Sequence, residues 1–283
     1  MIQSLSDRSN VRRLCRLLEV SPSGYYQWCD RKPGPRALAN ERLLQQVRKA
    51  FEQNRQTYGS PRITRLLQRA QISCSEKRVA RLMRTHQLRA KSKRPFRPRT
   101  TDSRHLYRAA PNRLKTQSLT CINQVWVADI TYIQAGSRWV YLAAVMDLFS
   151  RRILGWSLGY SLHTTLVKEA LQQAWALRRP AAGLLHHSDR GLQYASSAFQ
   201  ALLATYQMLP SMSRRGNCYD NATMEAFWST LKTELVHRCS FTDLPQAGRA
   251  INEYIQNFYN PKRLHSALDF YSPVDFERQL ATH

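Results

Sequence analysis

The sequence predicts an α/β fold: a mixed five-stranded sheet flanked by helices, preceded by a basic, all-helical region. Three observations predict it. Charge is divided unequally, with 28 Lys and Arg against 7 Asp and Glu up to residue 122 and 15 against 12 beyond it. Apolar residues recur at helical spacing up to about residue 90, whereas runs rich in β-branched and aromatic residues begin at Val125. Those runs then alternate with helical ones, as in a sheet closed between helix layers. The 283 residues exceed the usual size of one domain, so two are expected. The division is a helical region over 1–90, a basic extended linker over 91–122, an α/β core over 123–240 and a C-terminal helical extension over 241–283.

In chain order, residues 9–18 and 23–29 read as two short helices around Ser21-Pro22-Ser23-Gly24, residues that cap or break helices, and a helix-turn-helix is open there. A helix over 39–54 follows, with Leu43, Leu44, Val47 and Phe51 at helical spacing. Tyr58-Gly59-Ser60-Pro61 then breaks the chain, and Pro61 starts a helix to about Ala70. Ser75 is placed to cap a helix running to about His86. At about 100° per residue its Lys77, Arg81 and Arg84 share one face, and Val79, Leu82, Met83 and His86 the opposite one. A solvated charged face is the bland reading of that stripe. No acid within it offsets the charge, which continues through Arg89, Lys91, Lys93, Arg94, Arg97 and Arg99, so Lys77, Arg81 and Arg84 are expected to contact DNA.

Pro95, Pro98 and Pro111 among basic and polar residues make 91–122 an extended linker. Strands are expected over 125–133, 139–146 and 152–158, an antiparallel meander whose first hairpin turns at Ala135-Gly136-Ser137. A helix near 164–178, a strand near 183–187, a helix near 196–206 and a strand near 208–213 complete the core.

The net charge of +24 and pI near 10.5 point to a polyanionic partner, with nucleic acid the leading candidate. No run approaches the roughly 18 to 20 apolar residues of a membrane span, and no signal sequence follows Met1, so a cytoplasmic, nucleoid-associated protein is expected. Six widely separated cysteines without a C-x-x-C pair read as reduced, mostly buried thiols.

Asp129 interrupts the apolar strand Val127-Ala128-Asp129-Ile130-Thr131, where an unpaired carboxylate is costly. Asp189 follows a short strand, at the strand end where helix-flanked sheets usually meet ligands. Glu225 lies early in a helix that Asp220 or Asn221 can cap. Each alone has an ordinary structural reading. Asp147 is weighed as structural, with Ser150, Arg151 and Arg152 near it, and His187 as a packed residue or an auxiliary to proton transfer.

The spacing of Asp129, Asp189 and Glu225, with 59 and then 35 residues between them, occurs among further motifs. These are Ser23-Gly24-Tyr25-Tyr26, Tyr58-Gly59, Trp126 to Tyr132, Asp147-Leu148-Phe149-Ser150-Arg151, His187-Ser188-Asp189-Arg190-Gly191, Asp220-Asn221-Ala222 and Tyr259-Asn260-Pro261 with Arg263, His265 and Ser266. Over nearly the whole chain the sequence resembles the OrfB-type transposases of the insertion-sequence-three group, whose core is similar to retroviral integrases. The resemblance implies a ribonuclease-H-like fold, with Asp129, Asp189 and Glu225 as both catalytic and metal-ligating residues. It implies Mg2+, with Mn2+ as a substitute, because hard oxygen ligands and a few retained waters suit magnesium. It also implies a basic residue seven positions beyond the glutamate, which is Lys232, as a contact to the DNA end. Implied partners are element and target DNA, further copies of the chain on that DNA, and an upstream-frame protein fused by frameshifting; no sustained heptad occurs in this chain itself. The His and Cys zinc module of retroviral integrases has no counterpart in the arm, so zinc is not expected. Tyr132 and Tyr194 match the family without an assignable role. Two rivals remain at this point, a non-enzymatic DNA-binding regulator and a stand-alone nuclease of the same fold.

Overall fold

The structure is a computed structural model that describes residues 10–30, 32–90, 110–114, 117–214 and 221–281. Among the described residues five helices come first: α1 (Val11–Leu17), α2 (Pro22–Cys29), α3 (Pro35–Gln53), α4 (Ser60–Arg69) and α5 (Glu76–Thr85). Capping sets several starts. Ser21 Oγ accepts from Gly24 N–H, and Ser75 Oγ from Arg78 N–H. Proline, tolerated in a first turn, carries α3 back to Pro35, four residues before its expected start. In α5, Val79, Leu82 and Met83 are buried while Lys77, Arg81 and Arg84 are exposed, as the spacing requires. His86, expected on the packed face, is instead the exposed C-cap, because the chain leaves the helix there.

The strands β1 (Val125–Ala135), β2 (Arg138–Asp147), β3 (Ile153–Gly159), β4 (Leu185–Ser188) and β5 (Leu209–Met212) form one mixed sheet in the order β3-β2-β1-β4-β5. β1 and β2, and β2 and β3, pair antiparallel; β4 lies parallel to β1 and to β5. The hairpin turns through Gly136, whose φ of +60° favours glycine. Helices α6 (Thr164–Arg178), α7 (Leu192–Ala195) and α8 (Ser197–Thr205) alternate with the later strands. The expected helix over 196–206 begins as a separate turn at Leu192, because Ser196 caps a new start by accepting from Phe199 N–H. Beyond the sheet lie α9 (Ala222–Glu234), α10 (Leu244–Tyr254), a π-helical turn (Ile255–Tyr259) and α11 (Pro273–Ala281).

Alternation along β1 divides the core between the two faces of the sheet. Trp126 and Ala128 join α6 and α8 through Val167, Leu171, Phe199 and Leu203. Val125 and Val127 face the other way, toward Met224, Phe227 and Leu231 of α9. Asp129 follows Val125 and Val127 by the same two-residue step, so it falls on the α9 face. Gly155 allows α6 to approach β3, since a Cβ there would stand 2.1 Å from Ala170 O.

The arm is packed against the rest of the chain. Its buried Leu43, Val47, Phe51, Tyr58, Ile63, Val79 and Leu82 belong to the same apolar cluster as α9 and α10. Tyr58 Oη accepts from Leu264 N–H at 2.8 Å, and Arg69 stands 4.0 Å from the Tyr271 ring centroid.

Most of the expected linker, 91–109 and 115–116, lies outside the described residues. Its described parts touch the core at a few points: Arg113 N–H donates to Ser211 Oγ at 3.0 Å, and Leu114 and Leu119 lie against the core. Five described cysteines are free thiols, but only Cys15 is buried; Cys29, Cys121 and Cys239 are exposed, in loops or at a helix end, so burial was over-expected. No described helix is long and apolar enough to cross a membrane.

Candidate active site

The parallel register pairs Val127 of β1 with His187 of β4. Two residues further along come Asp129, still on β1, and Asp189, just past the end of β4, so both lie at the same end of this strand pair. β4 ends at Ser188, which leaves Asp189 in the loop where its Oδ1 accepts from Gly191 N–H at 2.9 Å. Arg190 is turned aside, donating through Nε to Ser213 O at 2.7 Å.

Helix α9 supplies the third carboxylate. Its start is tied to β1: Asn221 at the N-cap position makes no side-chain capping bond, and its Nδ2 donates to Ala128 O at 3.4 Å. Asp220, the other expected cap, lies outside the described residues. Arg151 adds a bond from Nη1 to Thr223 Oγ1 at 2.5 Å. Met224, Phe227 and Leu231 are buried, which turns exposed Glu225 outward. Positions 225, 228 and 232 share one face of a helix. On it Trp228 Nε1 donates to Asp129 Oδ2 at 2.9 Å.

The electrostatics reflect this convergence. The Asp129 carboxyl is pushed up to about 8 by burial and by the charge of Asp189, with Glu225 adding to the rise and the Trp228 indole opposing it. Among the described residues, no three His, Cys, Asp or Glu side chains are already arranged as a metal cage. The donor set nonetheless suits a hard cation. Like-charged carboxylates facing one volume raise each other's protonation, and a divalent ion coordinated by oxygen relieves that repulsion.

Around the carboxylates, Tyr194 is fully buried, and its hydroxyl is pushed well up by burial and by the charges of Asp129 and Asp189. Lys232 is half-buried with Nζ 5.0 Å from the Tyr132 ring centroid, and burial lowers its ammonium while the Asp129 charge raises it. Glu234, two residues beyond Lys232, is held elsewhere: it accepts from Arg263 Nη2 at 2.8 Å and from Tyr254 Oη at 2.7 Å.

His187 is fully buried, its Nδ1 2.9 Å from Ser211 Oγ and its Nε2 3.1 Å from Ser213 Oγ. Ser211 lies on β5 and Ser213 just past its end, so both nitrogens of His187 face hydroxyl partners within the packed interior. Asp147 accepts from the backbone N–H groups of Asn123, Phe149 and Ser150, a structural carboxylate. Lys77, Arg81 and Arg84 remain together on the outer face of α5 and away from the packed interface of the arm. Sequence reasoning missed Trp228, although its place three residues after Glu225 was the available signal.

Comparison with known proteins places these features in a family context. The family model described as Integrase core domain matches residues 120–218, a second Integrase core domain model matches 225–280, and an HTH-like domain model matches 38–96. The last covers α3 to α5 rather than the α1–α2 pair. The chain is 41% identical over 267 residues to the insertion element IS600 uncharacterized 31 kDa protein of Shigella sonnei, covering 94% of this chain and 98% of that protein. It is 36% identical to the transposase InsF for insertion sequence IS3A of Escherichia coli, covering 95% and 94%. Among solved structures, the HTLV-2 integrase catalytic core domain in complex with magnesium aligns with a TM-score of 0.43 at 18% identity, covering 60% of this chain and 99% of that one.

Proposed function

The chain belongs to the IS3-family transposases with an integrase core, and from this premise we propose that Asp129, Asp189 and Glu225 carry metal-dependent DNA cleavage and strand transfer. It is a polynucleotidyl-transferase-type transposase, and its helix-turn-helix-like and integrase regions bind DNA. The observation that carries the finer reading is the convergence of three elements: β1 with Asp129 pairs in parallel with β4, which ends just before Asp189, and Asp129 is bonded by Trp228 of the helix that carries Glu225.

Asp129, on the central strand and oriented by the Trp228 indole, would hold divalent metal together with Asp189 and Glu225. Bound there, magnesium, or manganese in its place, would activate the attacking oxygen and stabilise the leaving one. Water is the attacking group for cleavage and a DNA 3′-hydroxyl for joining, so no side-chain nucleophile is needed. Lys232, two turns beyond Glu225, would hold the DNA end, while Lys77, Arg81 and Arg84 would grip phosphates of the element end. We keep the division into an arm to residue 90, a linker to 122, a core to 240 and a C-terminal extension. Strand transfer would occur in a complex of several copies on DNA, with an upstream-frame product fused by frameshifting as a further partner.

The test is joining of a pre-cut element end bearing a free 3′-hydroxyl, with magnesium and with a chelator. Joined product only with magnesium supports the reading. Hydrolysis without joining would indicate a nuclease, and end binding without either reaction a regulator.

A further inference from the structure

A cavity of about 400 Å³ lies beside the three carboxylates and contains none of them. Two of its walls continue the elements that carry Asp129 and Glu225. Tyr132 stands three residues beyond Asp129 on β1, about 10 Å at ~3.3 Å per residue. Lys232 stands seven residues beyond Glu225 on α9, again about 10 Å at ~1.5 Å per residue. Phe241 and its neighbours close the third side.

Backbone contacts set the shape of this cavity. Gly136 N–H, at the tip of the β1–β2 hairpin, donates to Phe241 O at 2.7 Å. The same glycine has a φ of +60°, and a Cβ there would lie 2.6 Å from Thr242 O, so only glycine lets the hairpin meet this segment.

The lining is aromatic and cationic. Tyr132 and Trp139 meet edge to face with centroids 5.0 Å apart at 87°, and Lys232 Nζ stands over the Tyr132 ring. Trp139 is 55% exposed, a large flat ring presented at the cavity mouth. Gln134 and His237 add polar groups, and none of the described lining residues is acidic. Burying a loose apolar side chain would not require the ammonium, and a free anion would not require the rings. A nucleotide uses both.

We propose that this cavity seats an unpaired DNA base close to the cut site, stacked on Trp139, with Lys232 at the phosphate of that nucleotide. Its distance from the cut rests on the carboxylate reading, but its ligand chemistry does not. Aromatic platforms joined to a cationic groove are the general means of holding single-stranded DNA, and they tolerate any base because every base has a π face. Seating a base costs its stacking within the duplex, least where it is already unpaired at an end. Trp139 supplies a replacement surface at that point.

The experiment uses the full chain without metal and element-end duplexes carrying 2-aminopurine at each of the terminal positions in turn. In wild type one position should lose its duplex stacking and then be quenched by the tryptophan. In Trp139→Ala that position should stay bright, with affinity for an end carrying an unpaired terminus lower by at least about fivefold. Trp139→Phe should restore most of both. Asp129→Asn should keep the quenching while losing joining, so a failure of the carboxylate assignment would leave this signal untouched. If Trp139→Ala gave the wild-type emission at every position, the cavity would not be a base site.

Discussion

The Trp228 indole fixes one oxygen of Asp129, and a hydrogen bond to a charged group contributes about 1.5 to 3 kcal/mol. Trp228→Phe keeps an aromatic ring in the core while removing that donor. Joining by this variant should fall by about tenfold or more and need more magnesium, while its Tm stays within a few degrees of wild type. A titration of joining rate against magnesium checks this. A second residue prediction concerns His186, fully buried with Nε2 lacking a hydrogen-bond partner in the described structure and Phe199 5.3 Å away edge to face. Burial, with a smaller contribution from the charge of His187, holds His186 down to about 3. An unfolded histidine takes up a proton near pH 6.5, whereas the folded one refuses it until about 3. Stability therefore falls as pH drops through that window, by up to about 1.4 kcal/mol per unit from this group. Urea unfolding at pH 7.5 and pH 5.5 should show a smaller loss for His186→Leu than for wild type.

At the scale of elements, helix α9 is held at both ends. Asn221 and Arg151 fix its start, and Glu234 at its last turn is fixed by Arg263 and Tyr254. Glu234 and Arg263 are 5% and 6% exposed, so this ion pair is desolvated. Removing one partner of such a pair leaves the other charge buried and alone, at about 3 to 5 kcal/mol. Arg263→Ala should lower stability by that amount in denaturant unfolding and shift α9 enough to weaken joining, and Glu234→Ala should do the same. Much of this was legible in the sequence, because β1 to β3 and α3 to α6 follow periodicities that packing reinforces. Asp129 was legible as a polar residue on an apolar strand. The roles of Arg263 and Asn260 were not. Asn260 bonds both Ile153 N–H and Ile153 O, and Arg263 reaches back 29 residues, so only the folded chain brings these groups together. Trp139 and Tyr132 read as strand aromatics for the same reason: their cavity is closed by residues about a hundred positions away.

Over the whole molecule, the arm and the catalytic sheet share one apolar cluster, joined at Tyr58 and the segment around Arg263. Several arm cations are spent on this joint: Arg55 faces Tyr254 and Phe258, Arg62 faces Tyr58, and Arg69 faces Tyr271. The outward face of α5 thus carries the cations that can meet phosphate without disturbing the joint. Changing Lys77, Arg81 and Arg84 to Ala should weaken element-end binding and reduce the slope of log affinity against log salt by about 0.9 for each phosphate no longer neutralised. Fluorescence anisotropy across a salt series checks it, and an unchanged slope would make the stripe a solvated face. The central claim is that three carboxylates from β1, the end of β4 and α9 perform the chemistry while other surfaces hold the DNA. Its most direct test measures end binding and magnesium-dependent joining side by side for Asp129→Asn, Asp189→Asn and Glu225→Gln. The account predicts binding within about twofold of wild type and joining reduced by at least about a thousandfold for each, since removing one member of a catalytic unit disables it. Wild-type joining by any one of the three variants would contradict it.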